Sequence, residues 1–579
     1  MPASYQALRL SASDEQLLAS PYLTRQLIAY IGNKRRLLPL LLRIFRRLEQ
    51  RRPIRTFTDP FSGSGAVARL GRALGWQVLA GDIEEYARVL GSAYLSIAPS
   101  DAEELFGSHG GLTALIDHLN TLSGEPQEPY ISRHYAPASL KEADYRRERL
   151  FYTPANARFV DRVREEIERI YPEAQAAASS VQRRAKDLLL ALLIYEAATH
   201  VNTSGVFKAC HKGFGGHGGD ALTRITEAMQ LEYPVLSEGD AGCRAEKDDA
   251  ARMLSGRPAD LCYLDPPYNC HQYGSNYHLL NTIALWDKPA VNNARRPSGE
   301  LAAKAAIRPD WTATRSTFCS RGSAPESLRE VLEAADARWL VLSYNSEGII
   351  PFAELYELLS EYGAVEIETW DYTTYRGGRQ SISRKTHNQE FQLLLTRGEE
   401  PGRDQRRRFE RFLREQRLLA LLREPYVPER LAEEFPPACR GRGAVQLFPR
   451  DGSVPGEGWP TDRWYRFTGE YAREDLGAYT TEELAECCRR LERAVCGDRR
   501  EEFQVLYGFL LQEGRESRQK DQRRILKVLR KFAHRKYAEA FEKEIGRLRE
   551  LAAARPGSYP VLEKGLPELE ELAHRRFAG

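Results

Sequence analysis

The sequence predicts an α/β protein: a largely parallel sheet whose strands end in loops that carry acids, interrupted by a long insertion and followed by a mainly α-helical extension. Three stretches carry that prediction. Thr56-Phe57-Thr58-Asp59 is a short strand that breaks through Pro60-Phe61-Ser62-Gly63-Ser64-Gly65 into an apolar helical pattern beginning at Ala66. Gln77 to Asp82 is a second strand, closing on an acid after the helix has ended near Gly75. Far downstream, Leu261-Cys262-Tyr263-Leu264 is an apolar strand end that breaks into Asp265-Pro266-Pro267-Tyr268. Strand, glycine turn, helix and strand closing on an acid is the order of a doubly wound sheet.

In chain order, residues 1–24 are polar and unpatterned, and read as a partly ordered lead-in. Lys34 to Leu48 is a basic amphipathic helix with leucines spaced for one buried face, and Pro39 marks its true start or a kink. Its expected task is packing, with phosphate contact by Lys34, Arg35 and Arg36 as the alternative. Gly63 and Gly65 let the backbone turn tightly and let a nucleotide-type ligand approach without a Cβ in the way. Asp82 stands where an acid binds ribose hydroxyls in such sheets; a helix N-cap is the competing role.

The insertion, residues 101–235, starts helical and becomes irregular. Thr153 and Pro154 read as the N-cap and first turn of a helix running to Ile170, and Ala185 to His200 is apolar enough to be buried. After it, Val201 to Gly219 mixes glycine, aromatic rings, hydroxyls and bases. Such a loop can follow a groove, with Lys208 and Lys212 near phosphate and Asn202 or Lys212 at base edges; a plain surface loop is the alternative. Cys210, His211 and His217 lack a second ligand pair at zinc spacing, so no metal is expected.

Asp265-Pro266-Pro267-Tyr268 is where the chemistry is expected. Two prolines in a row have no N–H to donate, so the turn is stiff and presents carbonyl oxygens beside the Asp265 carboxylate. An acceptor array next to the flat Tyr268 ring suits a planar amino group on a heterocycle, and an amino-bearing nucleobase is the natural guest. The polar and aromatic run Asn269 to Asn281 is placed to hold that base or its phosphates. Trp339 to Asn345 is a further strand, and Glu366 to Tyr372 with Glu390 to Thr396 reads as an antiparallel pair. Between them Arg376, Arg379, Arg384 and Lys385 lie on a basic, glycine-rich tip suited to a DNA backbone.

Tyr30-Ile31-Gly32-Asn33-Lys34, then Asp59-Pro60-Phe61-Ser62-Gly63-Ser64-Gly65, then Asp265-Pro266-Pro267-Tyr268 stand in the order found in the Dam-like adenine-N6 DNA methyltransferases, and residues 25 to 400 resemble that family. The resemblance implies a Rossmann-like methyltransferase sheet over 25–100 and 236–400, a target-recognition region at 101–235, and S-adenosylmethionine as cofactor. It further implies that Tyr30, Gly32, Lys34, Asp59, Phe61, Gly63, Gly65, Asp82 and Asp240 bind the cofactor. Asp265, Pro266, Pro267 and Tyr268 would carry methyl transfer to a flipped adenine in double-stranded DNA. Asn33 departs from the pattern, for the family commonly has a second glycine there. A cognate restriction endonuclease is a further partner that the resemblance suggests.

Residues 401–579 change to charged helix, with nothing that looks catalytic. Between Arg515 and Lys536 ten Lys and Arg face two acids, with Ile525, Leu526, Leu529 and Phe532 at helical spacing; DNA grip, a protein partner and a solvated bundle face all remain open. Net charge is +3 on 579 residues, so a nucleic-acid surface has to be a local patch. Nine cysteines without a CxxC pair point to free thiols in a reducing compartment. No apolar run approaches the ~20 residues of a membrane span and no signal peptide is evident, so a cytoplasmic protein is expected. The rival functions are an RNA adenine-N6 methyltransferase and a non-catalytic DNA-binding subunit that keeps the fold.

Overall fold

A computed structural model describes residues 10–216, 221–239, 242–345, 348–369, 390–400, 402–422, 424–434, 479–511, 519–533 and 537–577. The chain divides into two compact units, Met1–Gln405 and Arg406–Gly579.

The first unit is built on a seven-stranded sheet: β1 Thr56–Asp59, β2 Gln77–Asp82, β3 Arg244–Lys247, β4 Ala259–Leu264, β5 Ala337–Asn345, β6 Gly363–Thr369 and β7 Glu390–Arg397. Their order is β3-β2-β1-β4-β5-β7-β6. The pairs among β3, β2, β1, β4 and β5 are parallel, while β7 runs antiparallel to both β5 and β6. Strand order reverses between β1 and β4, which opens a crevice beyond their carboxyl ends. Asp59 closes β1 and Asp265 follows β4, so two of the expected site residues flank that crevice.

Alternation along the strands sorts side chains to the two faces of the sheet. Phe57, Val78, Ala80, Leu261, Tyr263, Trp339, Val341 and Leu394 share one core with α1, Leu38–Arg51. Pro39 lies in the first turn of α1, after a 3-10 turn over Lys34–Leu37, so it marks the start of the helix and not a kink. Residues 10–24 depart from expectation: helices Ala12–Ala19 and Pro21–Thr24 place Tyr22 and Leu23 in this same core. Tyr22 Oη also donates to the Tyr94 carbonyl at 2.6 Å.

The insertion is not a separate module. Helices α4, Pro154–Ile170, and α5, Ser180–Thr199, pack into one cluster with α3, Glu85–Ser96, and α6, His278–Leu285. Leu188 to Ile194 are buried all round α5. Arg88 on α3 holds the buried Asp187 with two hydrogen bonds, at 2.8 and 2.9 Å. Thr153 caps α4 by accepting from the Asn156 N–H.

The second unit is helical among its described residues. Its helices include Pro428–Glu434, Thr481–Ala494, Arg499–Leu511, Gln519–Phe532, Ala538–Ala554 and Pro560–Phe577. Residues 435–478 lie outside the described part. On Gln519–Phe532, Ile525, Val528, Leu529 and Phe532 are buried, while Arg523, Lys527 and Arg530 are exposed. No helix among the described residues is long and apolar enough to cross a membrane.

Candidate active site

Four carboxylates line the carboxyl edge of the sheet. β2 ends in Asp82, β1 in Asp59, β4 runs into Asp265, and Glu390 opens β7. Because β7 is antiparallel, its first residue stands at the edge where the parallel strands finish, opposite Asn345 at the end of β5.

The glycine turn is fixed from two sides. Ser62 N donates to the Gly81 carbonyl at 2.9 Å, and Gly63 N donates to Asp82 Oδ2 at 3.0 Å. Asp82 Oδ1 accepts from Glu84 N at 3.0 Å, so this acid ties the turn to the start of α3. Gly63 has φ +49 and Gly65 φ +78, both left-handed, and Gly65 leads into α2, Ala66–Ala73. A Cβ on Gly63 would come within 2.7 Å of the Tyr30 ring. Tyr30 in turn stacks on Tyr277, with centroids 4.7 Å apart and planes at 18°. Phe61 packs edge-on against Phe318 at 5.3 Å.

The turn at Gly32 belongs to the other half of the site. Gly32 has φ +79, and a Cβ there would lie 3.3 Å from the Tyr268 hydroxyl. Asn33 has an ordinary φ of −54 and caps the following 3-10 turn by accepting from Arg35 N, so this position does not require the family's second glycine. The turn directs Lys34 inward. Its ammonium lies 3.2 Å from Asp265 Oδ1, 3.6 Å from Glu390 Oε2 and 5.2 Å from the centre of the Tyr268 ring. Lys34 was expected beside the cofactor; its side chain, 3% exposed, instead meets the acid of the Asp-Pro-Pro-Tyr turn.

Burial dominates the electrostatics. It raises Asp82 to about 6 and Asp265 to about 6, the second in spite of Lys34, and with Asp82 beside it Glu84 rises to about 7. Asp59 goes well above the usual range through burial and the neighbouring Asp265. Burial works against the Lys34 charge, but Asp265, Tyr268 and Glu390 more than restore it. Burial thus raises the proton affinity of Asp59, Asp82, Glu84 and Asp265, and a cation arriving among them favours their charged forms.

Other expected residues fall elsewhere. Asn202 is fully buried: its amide donates to the Leu150 carbonyl at 2.9 Å and to the Gly213 carbonyl at 3.2 Å. It pins its loop and does not present an amide to base edges. Lys212 is exposed, with its ammonium 5.6 Å from the Tyr145 ring. Lys208 follows Phe207, whose N–H donates to the Asn276 carbonyl and whose carbonyl faces His278 Nε2 at 3.0 Å. That loop is therefore bound to the segment after Tyr268. Tyr273 and Tyr277, expected to hold a base, are packed into the Tyr30 turn: Tyr277 Oη accepts from Ile31 N, and Tyr273 Oη donates to the Ile31 carbonyl. Asp240, His217, Arg376, Arg379, Arg384 and Lys385 lie outside the described residues. Among the described residues no group of His, Cys, Asp and Glu is arranged to hold a metal.

Sequence reasoning missed Glu390, Glu84 and Asn345. Glu84 is buried and hydrogen-bonded to Asn281, and the Asn345 side chain reaches the Tyr268 hydroxyl. No motif flags any of the three; the strand ends on which Glu390 and Asn345 sit were the one available signal.

The sheet order and the acid-lined crevice at its switch point define an α/β methyltransferase fold. The model of the D12 class N6 adenine-specific DNA methyltransferase family matches residues 30–298 of this chain. It is 27% identical over 340 residues to the type II methyltransferase M.NlaIII of Neisseria lactamica, covering 59% of this chain and 90% of that protein. It is 27% identical over 355 residues to the type II methyltransferase M.CviAII of Paramecium bursaria Chlorella virus 1, covering 60% and 93%. With the modification methylase LlaI of Lactococcus lactis subsp. lactis it shares 26% over 359 residues, 61% of this chain and about half, 52%, of that protein.

Proposed function

We propose that this chain is a site-specific DNA methyltransferase that moves the methyl group of S-adenosylmethionine to N6 of an adenine turned out of duplex DNA. The observation that carries the reading is the placement of Asp265-Pro266-Pro267-Tyr268 across one crevice from the glycine turn, with the crevice lined by buried acids. The relatives named above are type II methyltransferases or modification methylases, which favours DNA as the polymer and a restriction endonuclease as a functional partner.

The residues fit S-adenosylmethionine. Gly63 lets the Tyr30 ring pack directly on the glycine turn with no Cβ in its way, and Asp59 and Asp82 are buried carboxyl groups that a molecule carrying a sulfonium and an ammonium would draw toward their charged forms. Tyr30, Gly63, Gly65, Asp59, Phe61 and Asp82 would hold it, with Glu84 beside Asp82; bound, it supplies an electrophilic methyl group. The adenine amino nitrogen is a poor nucleophile because its lone pair is delocalised into the ring. Asp265 and the Pro266 carbonyl would accept hydrogen bonds from its two N–H groups, which draws the nitrogen toward a tetrahedral form and stabilises the positive charge that grows there as the carbon–nitrogen bond forms and the carbon–sulfur bond breaks; the methylated nitrogen then sheds one N–H proton. Pro267 keeps the turn stiff, and Tyr268 supplies the face on which the flipped base stacks. Lys208 and Lys212 would meet phosphate.

Asp265→Asn tests the assignment. It keeps the shape of the turn and removes the charge, so transfer should fall by about 10²-fold or more, as when one preorganised electrostatic group is lost. S-adenosylmethionine binding by calorimetry should stay within a few-fold. Retained turnover would overturn the role of Asp265.

A further inference from the structure

Lys34 poses an electrostatic problem for this site. A buried ammonium 3.2 Å from the one carboxylate that must attract a developing cation would neutralise it, and an isolated Asp265–Lys34 pair would carry no net charge toward the adenine. The structure holds a second carboxylate on the same ammonium: Glu390 Oε2 lies 3.6 Å from Lys34 Nζ, on the side away from the glycine turn. Lys34 is 3% exposed and Glu390 11%, so water screens this contact little.

We propose that Glu390 is a positioning residue for methyl transfer, sharing the Lys34 ammonium so that the trio Asp265, Lys34 and Glu390 meets the adenine amino group with one net negative charge. Lys34 then serves to fix Asp265 over the turn, and Glu390 prevents that fixing from cancelling its charge. The inference rests on the methyltransferase reading above and assigns no contact between Glu390 and cofactor or base. The groups that face Asp265 are Lys34 from the 3-10 turn, Glu390 from β7, Asp59 from β1, and Tyr263, Tyr268 and Tyr273 from its own segment. Of these, Lys34 pulls the Asp265 proton affinity down and Glu390 pushes it up.

The two neighbours should therefore act with opposite signs. In the full chain, Glu390→Gln should slow single-turnover transfer by about 10- to 100-fold, the scale on which losing an outer partner of a reacting group acts. S-adenosylmethionine affinity should change by less than about twofold, since Glu390 is placed on neither cofactor nor base. The acid limb of the rate profile, set by Asp265, should move to lower pH in Glu390→Gln and to higher pH in Lys34→Met. Glu390→Asp, which keeps the charge, should recover part of the rate. A wild-type rate and an unmoved limb in Glu390→Gln would overturn the proposal, as would equal loss in the Gln and Asp variants, which marks a merely structural role. Titration of ¹³C-carboxyl-labelled aspartate, with Asp265 assigned by difference against Asp265→Asn, reads the same opposite shifts without any turnover. Failure of the methyltransferase reading would silence the rate assay and leave this readout intact; absent or same-signed shifts would overturn the Glu390 proposal on their own.

Discussion

Gly63 and Gly65 look interchangeable in the sequence and are not. Both have left-handed backbones, which cost a side chain about 1–2 kcal/mol. Nothing lies within 4 Å of a Cβ on Gly65, whereas one on Gly63 would strike the Tyr30 ring. Gly63→Ala should therefore weaken S-adenosylmethionine binding by about tenfold or more, while Gly65→Ala shows only the backbone cost. Titration calorimetry of both variants checks this, and equal losses would put the Tyr30 contact in doubt. Residue types at this scale were legible wherever a motif is local: Asp59, Gly63 and Asp265 each sit at a strand end or in the turn that follows it, within a few consecutive residues. The Lys34 and Glu390 contact was not, because only the reversed direction of β7 returns residue 390 to the edge that residue 34 approaches. Neither residue's neighbourhood contains a sign of the other.

At the scale of elements, the strands and the helices at 34–51, 154–170 and 180–199 follow from alternation, capping and apolar runs, as Thr153 and Pro39 illustrate. The irregular loop after α5 does not. Its glycines, rings and bases suggested an open groove-following segment, yet a single buried amide decides its course. Asn202 satisfies the Leu150 and Gly213 carbonyls from the inside, a network that depends on two segments meeting and leaves no trace in spacing. Asn202→Ala leaves those acceptors unpaired and should cost roughly 2–3 kcal/mol. Denaturant unfolding would register it. Unchanged stability with an altered recognition sequence would instead return Asn202 to the DNA.

Over the whole molecule, the insertion shares its core with α3 and α6, so the helices between the sheet's halves stabilise the catalytic unit as well as covering it. Composition could not foresee this, because a helix that is apolar all round reports burial without naming its partner. The helical unit after Gln405 has cores of its own, built around Phe503 and around Leu418. M.NlaIII and M.CviAII are matched over nine-tenths of their lengths by about three-fifths of this chain. Residues 1–405 alone should therefore fold and bind S-adenosylmethionine; a truncated chain that is folded by circular dichroism yet fails to bind would show that the second unit completes the site.

The measurement that tests the central claim most directly is transfer of a labelled methyl group from S-adenosylmethionine to duplex DNA and, in parallel, to structured RNA, with the modified base identified by mass spectrometry. N6-methyladenine in DNA is the predicted product. Label confined to RNA would contradict the choice of polymer, and label on neither, with cofactor bound, would contradict catalysis itself.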